Sequence, residues 1–184
     1  WQWWQREQGA KAGALYDELD RLAASGDVEK TTRAFSDLKE RFPRTLQTQQ
    51  GALLAAKVQA EKGQADAALA TLGWVADNAG EDELRSIARL RAAGLLLDQK
   101  KFDEALKQLD AAQQGTPREF DALIADRRGD ILAAQGNRAE AIAAYQASYK
   151  AMDPKTEYRT LVEAKLTSLG AAPAPDAAAS GVAK

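Results

Sequence analysis

Carboxylates are the only side chains in this sequence whose spacing suggests chemistry. Asp17/Glu18, Glu81/Asp82/Glu83 and Asp103/Glu104 are adjacent in sequence. Neighbours on a helix point in different directions and do not converge on one substrate. The run "DRRGD", Asp126 to Asp130, is more suggestive, because a spacing of four puts both Asp on one helix face and turns Arg127 and Arg128 away. Two facing carboxylates are the minimum for acid–base cleavage of a glycosidic bond, but they need a cleft and a supporting shell. A repeat helix offers neither. The 184 residues contain no Cys and no His, which removes thiol nucleophiles, disulfides, imidazole bases and the usual zinc and copper ligands. Gly-rich phosphate loops and nucleophile elbows are also missing. No catalysis, no metal and no cofactor are expected.

Composition bounds the rest. Hydrophobic residues make up 45% of the chain, with 13 Gly and only 5 Pro, which suits a folded, helical chain of one domain or one repeat array. Net charge is −2 without a basic block, so no nucleic-acid surface is expected. Freedom from Cys fits an oxidising, extracytoplasmic compartment. The chain opens on Trp1 rather than Met, as expected of a processed or excised piece. No apolar run is long enough to span a bilayer. Trp1, Trp3 and Trp4 crowd the start, and Trp gathers at membrane–water interfaces, so residues 1–8 are read as a juxtamembrane flank.

A repeat organises the chain between its ends. Gly26, Gly63, Lys100 and Gly136 are each followed five residues later by Thr31, Ala68, Ala105 and Ala141, at spacings of 37, 37 and 36. Four residues further on stand Phe35, Leu72, Leu109 and Tyr145, and each unit closes near Pro43, Gly80, Pro117 or Pro154. Four registers with one period signal a stacked array. Apolar residues at helical intervals lie before and after each junction, so each unit is two helices, and Gly at the junction suits the left-handed residue that ends a helix. Ala56/Ala68, Ala93/Ala105 and Gly129/Ala141 lie 12 apart, which brings small residues together across a hairpin; Leu19/Thr31 breaks that rule. Thr116-Pro117-x-Glu119 reads as a capping box, and Asp153-Pro154 as a cap before the last helix.

The pattern resembles the tetratricopeptide repeat, a helix–turn–helix unit of about 34 residues. Gly129, Leu132, Ala141, Tyr145, Ser148 and Pro154 carry it in the last unit, and Ala93, Leu96, Ala105, Leu109, Ala112 and Pro117 in the third. The expected fold is all-α: an α-solenoid of four tetratricopeptide-like helix pairs plus a C-terminal capping helix, over residues 9–169. Thr156 to Leu169, with Tyr158, Leu161, Val162, Leu166 and Leu169, is the amphipathic cap. Residues 170–184, rich in Ala and Pro, read as a disordered tail.

"ALIADRRGDILAAQGNRAEA" (Ala122 to Ala141) and "LVEAKLTSL" (Leu161 to Leu169) are similar to the YfgM-type family, ancillary subunits of the bacterial SecYEG translocon. That resemblance implies a single-pass inner-membrane protein whose anchor is absent here, with a repeat domain on the periplasmic side. It also implies protein partners: the SecYEG translocon and a membrane-anchored periplasmic chaperone of the prolyl-isomerase type. Groove-facing positions carried over from the repeat are Tyr16 and Asp20, Leu53 and Lys57, Leu90 and Leu97, and Asp126 and Asp130. Partly apolar and partly acidic, they suit a peptide segment better than a small metabolite. Three roles fit such a surface: an adaptor at the translocon, a holdase for unfolded chains, or a scaffold in envelope assembly.

Overall fold

Each hairpin is closed by one residue of positive φ. Gly26 (φ 74°), Gly63 (78°) and Gly136 (83°) occupy the junctions, and the third junction holds Lys100 at 58°. The last three turns share one hydrogen-bond pattern: the residue after the left-handed one donates its N–H five residues back, Gln64 to Gln59 (2.8 Å), Lys101 to Leu96 (2.9 Å) and Asn137 to Leu132 (2.9 Å). This satisfies carbonyls that the helix end leaves without a partner. The first turn adds a side-chain cap, with Asp27 accepting from the Lys30 N–H at 3.0 Å.

The computed structural model describes residues 2–115 and 117–174. Among the described residues every regular element is helical, and they fall into two units, Trp1–Pro117 and Arg118–Lys184. The first contains α1 (Gln2–Ser25), α2 (Val28–Arg41), α3 (Leu46–Glu61), α4 (Ala65–Asn78), α5 (Asp82–Asp98) and α6 (Phe102–Gly115). The second contains α7 (Asp121–Ala134), α8 (Arg138–Ala151) and α9 (Glu157–Ser168). Helix α1 runs unbroken from Gln2, so the flank expected at residues 1–8 continues the first helix from its second residue; Trp1 lies outside the described residues.

The small residues at the hairpin contacts are all buried: Ala56, Ala68, Ala93, Ala105, Gly129 and Ala141, and Leu19 and Thr31 in the pair that breaks the rule. Gly129 shows why size matters. A Cβ there would lie 2.5 Å from the Tyr145 ring, inside any tolerable contact. The large residues one turn along the second helices, Phe35, Leu72, Leu109 and Tyr145, are buried as well. In the first unit Phe35 meets Trp74 edge to face at 5.6 Å within a core that also holds Leu19, Leu38, Leu53 and Val75. The second unit has its own core, built from Ala122, Leu132, Ala141, Tyr145, Val162 and Leu166.

One helix start differs from expectation. A short 3-10 turn, Arg118–Phe120, precedes α7, which begins at Asp121; the capping box expected at Thr116 lies outside the described residues. Asp153 does not cap α9. Its side chain accepts from the Lys155 N–H at 2.9 Å, a local turn that competes with capping, and Thr156 precedes the helix. The tail from 175 to 184 lies outside the described residues.

Candidate functional site

In the first unit the positions expected to face a groove sit on the first helix of each pair, α1, α3 and α5. Asp20 and Lys57 are exposed, and Tyr16, Leu90 and Leu97 are half-buried. Burial, followed by the charges of Asp20 and Asp17, raises the Tyr16 phenol above its ordinary value, so it stays neutral and can donate a hydrogen bond. Lys57 makes only a 4.0 Å surface pair with Glu61, which holds it weakly. Leu53 is different. It is 9% exposed and belongs to the core with Ala12 and Leu19 of α1 and Ala88 and Ala92 of α5. Its side chain is part of that core.

In the second unit the two Asp of "DRRGD" do share a face of α7, but that face is covered by α9. Asp126 is 1% exposed. Its Oδ2 accepts from the Tyr158 hydroxyl at 2.6 Å and its Oδ1 from Lys165 Nζ at 2.8 Å. Asp130 Oδ1 accepts from the Tyr145 hydroxyl at 2.7 Å and lies 2.8 Å from the same Lys165 Nζ, with Arg127 3.8 Å from its other oxygen. One ammonium therefore bridges two carboxylates, and each carboxylate also holds a phenol. Burial favours the uncharged lysine, but hydrogen bonds to Asp126 and Asp130 outweigh it and raise the Lys165 pKa above 10.5. Burial and hydrogen bonding to the carboxylates raise both Tyr145 and Tyr158 above 10.0.

This cluster is an internal clasp. Both Asp are spent on cations and phenols, and a lysine held protonated is no base. Among the described residues no group of three acidic side chains is placed to hold a metal ion, and no helix is long and apolar enough to cross a membrane. Tyr158 is expected only in the amphipathic cap and Lys165 in no role, yet their spacing of seven puts them on one face of α9, from which both reach Asp126.

The family model for the tetratricopeptide repeat-like domain matches residues 1–171. The chain belongs to the tetratricopeptide repeat-like domain family. Among the relatives of this repeat protein is the ancillary SecYEG translocon subunit of Neisseria gonorrhoeae, 31% identical over 158 residues, which span 86% of this chain and 74% of that one. Solved structures of MamA have the same fold: MamA residues 41 to the end from Desulfovibrio magneticus RS-1, and the MamA RS-1 ArsTM double mutant. Each gives a TM-score of 0.63 at 18% identity and covers 90% of both chains. The all-α fold of tetratricopeptide-like helix pairs is thereby shown.

Proposed function

We propose that this tetratricopeptide repeat-like chain is a non-enzymatic adaptor that docks to the SecYEG translocon. On this reading it is the periplasmic part of an inner-membrane protein and links the translocon to a periplasmic chaperone of the prolyl-isomerase type. The observation that carries the reading is the 31% identity, over most of both chains, to an ancillary translocon subunit. The repeat fold supports it, because such helix pairs present side chains for protein contacts.

The contact surface on this reading is the exposed and half-exposed set on the first helices of the first unit: Tyr16, Asp20, Lys57, Leu90 and Leu97. Leu53, Asp126 and Asp130 support the helices from inside. Pull-down of the full-length protein from detergent-solubilised membranes tests the assignment. Translocon subunits recovered in fixed ratio, and lost in Tyr16→Ala/Leu90→Ala/Leu97→Ser, are expected. Recovery of an envelope-assembly complex instead, or suppressed aggregation of unrelated clients by the domain with no translocon recovered, replaces it by the scaffold or the holdase.

A further inference from the structure

The start of α1 and the turn between α2 and α3 build a partly exposed surface at the edge of the first core, which Phe42 joins. Trp3 and Trp4 are 76% and 53% exposed and Leu46 is 41% exposed. A cleft of about 890 Å³ opens beside them, lined by Trp4, Phe42, Pro43 and Leu46 together with Arg41 and Arg44. Gly9 and Gln47 also line it. Arg41 is carried over the Phe42 ring at 5.4 Å, which sets its guanidinium at the cleft. No carboxylate lines the cleft. In a chain of net charge −2, this is a local reversal of sign joined to exposed indole.

We propose that this surface seats on an anionic phospholipid bilayer. Arg41 and Arg44 meet headgroup phosphates, and Trp3, Trp4 and Leu46 enter the boundary between headgroups and acyl chains. Each part has a physical reason. Indole combines an apolar body with one N–H donor and prefers that boundary. Arg binds phosphate through a planar fork while its stem stays on apolar surface. An exposed apolar patch of this kind marks a contact surface. A purely apolar peptide in the cleft would leave two guanidinium groups without counter-charge; a lipid supplies phosphate and hydrocarbon within one molecule. The two halves of the surface are about 40 residues apart in sequence, so the fold makes the site. The proposal stands whether or not the chain docks to a translocon.

Co-sedimentation of the 184-residue chain with vesicles tests it, using phosphatidylglycerol mixed into phosphatidylcholine against phosphatidylcholine alone. Binding to the anionic vesicles that weakens with salt is expected, because each basic residue near such a surface adds to the attraction. Arg41→Gln/Arg44→Gln lowers the affinity roughly tenfold or more, and Arg41→Lys/Arg44→Lys keeps most of it. Trp3→Ser/Trp4→Ser lowers binding at all salt concentrations. All these side chains are exposed or at the surface, and an unchanged circular dichroism spectrum checks that the fold is kept. Equal binding to neutral vesicles, no binding to anionic ones, or binding indifferent to both double variants overturns the proposal. So does capture of a soluble acidic amphipathic peptide by a chain that ignores vesicles.

Discussion

One repeat position carries Tyr16, Leu53, Leu90 and Asp126 in successive helix pairs, at spacings of 37, 37 and 36. In the first unit it is occupied by residues with apolar bodies, and Leu53 belongs to the buried core. In the second unit the same position is an acid, fully buried, and met by Tyr158 and Lys165 of α9. The difference lies in what covers the position. Another repeat helix brings small and aliphatic side chains, so Leu is the fit. A terminal helix with one wet face can bring an ammonium and a phenol, and then a carboxylate fits. The ion pair stabilises less than its short distances suggest, since desolvation offsets much of the attraction. It does fix which register α9 adopts, because a shift along the helix would leave Asp126 buried without a partner.

Exchanging the two solutions gives the largest effect. Leu53→Asp places a carboxylate in the first core, where the Arg91 guanidinium, already 3.4 Å from the Leu53 carbonyl, offsets only part of its burial, and is expected to cost about 3–4 kcal/mol, a large share of the stability of the first unit. Urea unfolding followed by circular dichroism reads this directly. A loss below about 1 kcal/mol would mean that the position is wet and the contrast between the units is false.

Removing the cation from the second unit comes next. Lys165→Met is expected to destabilise by about 2–4 kcal/mol, the lower part of the range for breaking a buried pair, since the Lys165 side chain is 22% exposed. Adding Asp126→Leu to it should recover only part of the loss, because Asp130 still lacks the lysine and Tyr158 loses its acceptor. The pH profile sharpens the point. Folding raises the pKa of Lys165 above 10.5, so its contribution is complete below pH 10.5 and disappears as pH rises through the folded value. Tyr145 and Tyr158, raised above 10.0, act in the same direction because their unfolded phenols ionise first. Stability should therefore fall above about pH 10, and the part due to Lys165 should be missing in Lys165→Met.

Gly129→Ala tests whether the clasp depends on close helix packing. The added methyl meets the Tyr145 ring, which is buried and tied to Asp130, so the ring cannot simply swing away. Overpacking costs about 1–3 kcal/mol and Ala returns up to about 1 kcal/mol of helix propensity, for an expected net loss of about 1–2 kcal/mol. A Tyr145→Leu background, which replaces the ring, should turn that loss into a small gain.

Period and partners were unequally legible. The junctions at 26, 63, 100 and 136 and the small residues at 31, 68, 105 and 141 follow from local rules of turn and packing size, and the structure places them as those rules require. Groove positions did not follow so simply. Whether Leu53 or Asp126 sees solvent depends on a helix elsewhere in the chain, which periodicity does not encode. The signal for Asp126 was present in Tyr158 and Lys165, but it becomes readable only once α9, packed on α8, is known to reach α7 with these side chains. The start of α9 differed for a local reason: Asp153 can bond its own turn or cap a helix, and nothing nearby in the sequence decides between them.

The smallest effect concerns the one junction without glycine. Lys100 holds φ 58°, where its Cβ crowds the backbone, while Gly26, Gly63 and Gly136 hold the same conformation freely. Lys100→Gly relieves about 1–2 kcal/mol of backbone strain and gives back part of it through the greater freedom of glycine in the unfolded chain. A net gain of about 0.5–1 kcal/mol in the first unit is expected, with the urea midpoint moving up and the slope unchanged. Lys100→Ala leaves φ strained and should give no gain, which separates backbone relief from loss of the lysine charge. If both variants stabilise equally, the strain is not in the backbone, and the third hairpin closes as easily as the other three.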